Sequence, residues 1–159
     1  MVDLSKRHFF FQDKSEGALL DLPWLARPAS FTDICTRCSK CLNACETQII
    51  VLGDGGFPKV DFSRGECTFC HQCVDVCSEP LFRSTAEQAW AEKAVVNPTC
   101  LAKQNIECRS CSDSCESMAI TFKTTLGKVA QPTLNAAACN TCGACVSVCP
   151  ASSIEVKSF

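Results

Sequence analysis

Tyrosine is absent from this chain of 159 residues, and tryptophan occurs only twice. No charge sign dominates either. The formal net charge is −2, so no basic field argues for nucleic acid as a partner. Long apolar runs are missing, and none approaches the roughly 20 residues that a membrane-spanning helix requires. No arrangement of side chains reads as a catalytic acid, base or nucleophile, which argues against an enzyme. What the chain has in excess is cysteine. Sixteen residues, about a tenth of the total, are Cys. That usage signals disulfides or metal, and a small apolar core needs such staples.

Spacing decides between the staples. Three groups read C-x2-C-x2-C-x3-C: Cys35, Cys38, Cys41 and Cys45; Cys67, Cys70, Cys73 and Cys77; and Cys139, Cys142, Cys145 and Cys149, the last followed by Pro150. This is the bacterial ferredoxin run for cubane [4Fe–4S] clusters, in which the fourth cysteine ligates the neighbouring cluster. A disulfide scaffold has no need of a repeated triple, and no cleavable signal peptide accompanies it. Zinc uses paired C-x2-C knuckles without a middle cysteine. The third group is irregular. Cys108, Cys111 and Cys115 keep the rhythm, but position 105 is Asn and the next cysteine upstream is Cys100. Cys100 is the one thiol left to complete a third set of four. It reads as a ligand, with Leu101 to Glu107 inserted between the first and second ligands of its set. Such a loop leaves one iron more open to water, and exposure shifts a cluster's potential.

The spacers organise the repeat. Ile49 and Val51 alternate, Gly53 to Gly56 turn, and Val60 and Phe62 alternate back, which predicts a hairpin between the first two groups. Ile120, Phe122, Gly127 and Val129 predict another between the last two. The middle spacer differs. Ser84-Thr85-Ala86-Glu87 reads as a capping box opening a helix through AEQAWAEKA, with Trp90 as a packing residue. Ala94 to Asn97 then reads as a strand that pairs with Ser153 to Val156. The expected fold is α+β: tandem two-cluster ferredoxin-like modules, with small hairpins and short helices around four [4Fe–4S] clusters. The boundaries are an N-terminal arm at 1–28, a first module at 29–83, a helical linker at 84–93 and a second module at 94–159.

Tandem pairing assigns the cysteines. Cys35, Cys38 and Cys41 take Cys77. Cys67, Cys70 and Cys73 take Cys45. Cys100, Cys108 and Cys111 take Cys149. Cys139, Cys142 and Cys145 take Cys115. A nested pairing, first group with fourth and second with third, also satisfies the count; the hairpin spacers favour tandem. His71 lies inside the second run, but four thiols are already available there, so it reads as a loop residue. Glu46 and Glu116 directly follow Cys45 and Cys115. A carboxylate beside a cluster lowers its potential, whereas one facing solvent is screened. Four oxidised clusters of about −2 each bring the loaded chain to roughly −10, a field that favours partners with a basic face.

The N-terminus carries a separate signal. Ser5-Lys6-Arg7-His8-Phe9-Phe10 resembles the twin-arginine export motif, with Lys6 in place of the first arginine. The apolar segment that export requires is missing, because Gln12, Asp13 and Lys14 follow Phe11 at once. Lys6, Arg7, Phe9 and Phe10 therefore read as a contact surface or a loose tail.

Taken with CTRC at Cys35, CTFC at Cys67, the Trp90 segment, CLAKQNIECRSCSDSCESMAI and CNTCGACVSVCP, this order of features resembles the NapF family, ferredoxin-type accessory proteins of periplasmic nitrate reductase. The resemblance covers nearly the whole chain. It implies a cytoplasmic protein with several [4Fe–4S] clusters that binds the catalytic subunit of periplasmic nitrate reductase before export. The implied role is maturation of that subunit, by cluster loading or redox conditioning. The alternative is an electron-transfer ferredoxin that supplies a nitrate reductase or a related oxidoreductase.

Overall fold

Alternating apolar residues on either side of a glycine-rich turn produce the first element pair. In the computed structural model, which describes residues 19–157, β1 (Ile50–Leu52) and β2 (Pro58–Val60) form an antiparallel ribbon with Ile50 opposite Val60. Gly55 and Gly56 turn it at φ +64° and +75°, a region where a side chain is costly. The last spacer repeats the scheme at greater length. β4 (Ile120–Thr125) pairs with β5 (Lys128–Leu134), Ile120 opposite Leu134, around Gly127. The strand expected after the middle spacer forms as β3 (Lys93–Val96). It pairs antiparallel with β6 (Ile154–Lys157), Ala94 opposite Val156. That ribbon ties the start of the second half to its end.

The helices are single turns: α1 (Phe31–Ile34), α2 (Lys40–Ala44), α3 (Gln72–Asp75), α4 (Ser110–Asp113) and α5 (Ala144–Ser147). Isolated helices of this length are unstable; here each of the last four carries or adjoins a cysteine group. Two apolar clusters organise the chain. The first contains Leu22, Trp24, Phe31, Val60, Phe62 and Trp90. The second is made of small residues, with Ala94, Ala119, Ile120 and Ile154 as its principal apolar members. Among the described residues no helix is long and apolar enough to cross a membrane.

Two expectations are corrected. Residues 84–93 form no helix; they run as turns and bends into β3. The carbonyls that a helix would use are taken by groups outside the segment. Trp24 Nε1 donates to Glu87 O at 2.8 Å, Arg83 Nη2 to Gln88 O at 2.6 Å, and the Trp24 amide to Ala89 O at 2.9 Å. The Ser84 hydroxyl accepts from the Ala86 amide at 3.3 Å, and Glu87 turns to Arg83. Burial of the adjacent Ala89 and Trp90 outweighs the helix propensity of nine residues, a segment too short to be helical alone.

The N-terminal arm also ends earlier than expected. Residues 19–27 form a strap across the first half. Leu20 bridges Val60 and Leu25 bridges Phe82; Leu22 and Trp24 are 2% and 3% exposed. Asp21 pairs with Lys59 at 2.5 Å on a partly exposed surface, a contact of little weight. The apolar alternation Leu20-Leu22-Trp24 is the signal that marks this strap. Lys6, Arg7, Phe9 and Phe10 lie outside the described residues.

Candidate metal centres

Each regular cysteine run bends back on itself by the same device. The second residue of its first gap and the first residue of its second gap are left-handed: Arg37 and Ser39, Phe69 and His71, Thr141 and Gly143, with φ between +55° and +85°. A non-glycine residue seldom adopts this geometry, and its regular recurrence curls three thiols toward one point. A one-turn helix follows and carries the third thiol. At or just after its end lies the fourth cysteine; Cys45, for example, is the extended C-cap of α2. The chain thus leaves the loop with its fourth thiol directed to a different recess.

Three recesses receive these thiols. One is lined by Cys35, Cys38, Cys41 and Cys77, a second by Cys45, Cys67, Cys70 and Cys73, and another by Cys115, Cys139, Cys142 and Cys145. Each is small and partly open to solvent. The remaining four also meet, since Cys111 has Cys100, Cys108 and Cys149 as neighbouring thiols. Every set combines three cysteines of one group with the fourth of its tandem partner, and no set joins the first group to the last. All sixteen are free thiols. Among the described residues no three potential ligands converge as they would on a single ion. Thiols that ring a recess instead suit a polynuclear group.

The electrostatics point the same way. Burial pushes Cys73 and Cys145 up to about 12, with neighbouring thiols adding to the effect. Cys41, Cys67 and Cys111 are pushed up to about 11, again chiefly by burial. Thiolates gathered in an apolar recess are unfavourable without cations, and iron relieves both the desolvation and the repulsion. Where sulfur is more exposed, local groups favour the thiolate. The Lys40 amide and the Thr36 hydroxyl hold Cys38 below its ordinary value. Cys115 is lowered as well: burial opposes the shift, and the Ser117 hydroxyl with nearby amides outweighs it. The Phe69 amide donates to Cys67 Sγ at 3.4 Å, and the Ser153 amide to Cys149 Sγ at 3.2 Å.

The third group reaches its recess differently. Cys100 opens a short 3-10 turn, Ala102–Gln104, which Asn105 closes at φ +63°. Asn105, at the position where a regular run has cysteine, serves as a turn terminator. Ala102 is fully buried, and its carbonyl accepts from Gln131 Nε2 on β5 at 2.7 Å. Lys103 Nζ reaches Val96 O at 2.6 Å. The inserted loop is a clamped turn that returns a half-buried Cys100 to its set.

Sequence reasoning missed Pro23 and Trp24, which line the second recess. Trp24 stands edge-on to His71 at 4.8 Å, so His71 supports an aromatic wall. Glu46 also lines that recess and accepts from Thr68 Oγ1 at 2.5 Å. Glu116 faces a wider, open cleft with Glu66 and Asp113.

Paired thiol sets on short strands and one-turn helices define a ferredoxin-type iron–sulfur protein with two dicluster domains. A family model described as a 4Fe-4S dicluster domain matches residues 34–79 and 106–153. The chain is 47% identical over 135 residues to the ferredoxin-type protein NapF of Escherichia coli K12, covering 85% of this chain and 82% of that protein. Its counterpart in Haemophilus influenzae is 49% identical, covering 85% and 77%. The chain belongs to the NapF family of ferredoxin-type proteins. A more distant relative, the ferredoxin-type protein NapG of Escherichia coli K12, is 29% identical over 157 residues, 86% of this chain and 68% of that protein. No solved structure matches the chain at a significant level.

Proposed function

We propose that the four thiol sets hold four [4Fe–4S] clusters, two in each half. We further propose that the protein is an accessory factor for the cytoplasmic precursor of the periplasmic nitrate reductase catalytic subunit, supporting its cluster loading or redox conditioning. The observation that carries the first part is the grouping of sixteen free thiols into four sets, each completed by the tandem partner's fourth cysteine. Membership of the NapF family supports the second.

Bound clusters supply one-electron storage at a potential set by their surroundings. The chain's own groups tune that setting. Amides directed at Cys67 and Cys149 stabilise charge on sulfur and raise the potential, whereas Glu46 at the second recess lowers it. Trp24 and Trp90 cover the second recess against water. Loaded, the molecule is strongly anionic, which suits a basic docking face on the partner.

Affinity capture with the loaded protein tests the role. Retention of the unexported catalytic subunit is expected. Retention of mature periplasmic enzyme alone overturns the accessory reading and favours the electron-transfer alternative. Anaerobic reconstitution tests the cofactor content. About sixteen irons and as many acid-labile sulfides are expected, four per cubane; about twelve of each means that the third set builds no cubane. Replacing Cys100 with Ala then removes or converts one cluster and leaves the signals of the other three in place. Unchanged iron and EPR spectra would mark Cys100 as a bystander.

A further inference from the structure

We propose that Phe62 and Gly143 form a positioning contact between the two dicluster domains. It holds the second and fourth cysteine loops backbone to backbone and makes their two sites the electronically coupled pair that links the halves. The proposal rests on the cysteine assignment above.

Gly143 is left-handed, with φ +85°. That conformation alone does not demand glycine here, because the corresponding residues of the other two regular loops are Ser39 and His71, at +59° and +63°. Space demands it. A Cβ at 143 would lie 2.0 Å from Phe62 Cδ1 and 2.3 Å from Cγ. The ring has little room to yield, being 6% exposed and packed edge-on against Trp90 at 5.5 Å. Phe62 belongs to the first half and Gly143 to the fourth cysteine group, so this fit is made across the seam between the domains.

Hydrogen bonds fix the same seam. The Cys67 amide donates to Cys142 O at 2.7 Å. The segment that joins the halves is held to the same loop, Thr141 Oγ1 donating to Glu92 O at 2.5 Å and Gln88 Nε2 to Cys139 O at 3.4 Å. A path from Cys67 Sγ to Cys142 Sγ therefore crosses covalent bonds and one hydrogen bond. Cys67 also has the Cys142 thiol of the second half as a neighbour, whereas the recess of Cys35, Cys38, Cys41 and Cys77 is lined by the first half alone and the neighbouring thiols of Cys111 all belong to the second half. Two sites are inner and two are outer, and the inner pair meets at Phe62 and Gly143.

The test uses the full chain, loaded anaerobically, with Cys35, Cys38, Cys100 and Cys108 replaced by Ala to remove both outer sites. About eight irons are expected. After one-electron reduction of each remaining site by dithionite, the EPR spectrum should be split by interaction between two neighbouring spins. Adding Gly143→Ala should diminish the splitting with iron still near eight. Adding Phe62→Ala to that variant should restore it, because the smaller side chain removes the collision. Unsplit signals at full iron in the parent, or a splitting indifferent to Gly143→Ala, overturn the positioning contact while the cysteine assignment stands. Iron well below eight in the parent overturns the assignment and the proposal with it. Should Gly143→Ala itself lose iron, failure of Phe62→Ala to recover it also counts against the contact.

Discussion

Chelating the iron from the loaded protein unfolds it: the cooperative melt disappears and dyes that bind exposed apolar surface bind strongly. The helices are single turns and the sheets are two-stranded ribbons, neither of which is stable alone in water. The apolar core of the second half rests on two isoleucines and on alanines, which bury little area each. What joins the elements is the thiol sets, and a site absent from the unfolded chain contributes its binding energy to folding. The first half, with Leu22, Trp24, Phe31, Phe62 and Trp90 in its core, should retain more residual structure. Near-native circular dichroism with a sharp transition after iron removal would show that the core suffices.

Trp24→Ala should cost about 3–5 kcal/mol in the loaded protein, the usual range for deleting a buried Trp. Three losses combine. The side chain is 3% exposed; its Nε1 satisfies Glu87 O at 2.8 Å; and its ring packs edge-on against Phe69 and His71, both in the second cysteine run. The expected signature is selective. Iron at Cys45, Cys67, Cys70 and Cys73 should be lost first on exposure to oxygen or denaturant, seen as bleaching of about a quarter of the visible absorbance. Denaturation midpoints for the wild type and Trp24→Ala supply the magnitude. Loss spread evenly over all sites would mean that Trp24 stabilises the domain without sealing that recess.

The amount of this structure visible in the sequence differed by element. Both hairpins were legible, because period-two alternation around a glycine turn is local. Pairing of β3 with β6 was legible once the ferredoxin-like repeat supplied partners for two short extended segments. The helix expected over 84–93 was wrong because its capping signal is local, while its carbonyls are claimed by Trp24 and Arg83. The strap at 19–27 was misread as part of an arm, since its apolar run is broken by Asp21 and Pro23 and the surfaces it covers, at Val60 and Phe82, lie far along the chain.

Cysteine spacing by itself determined the chemistry and four sets of thiols, because a C-x2-C-x2-C run constrains one short loop whatever surrounds it. It also marked Cys100 as the one thiol left to complete the third set. Only the tertiary structure decided how that thiol arrives, on a turn clamped by Gln131 from another strand. It alone decided that Trp24 walls the second recess and that Gly143 faces Phe62. Those contacts join residues far apart in the chain. They depend on which surfaces the folded halves bring together, and spacing within a motif carries no record of that.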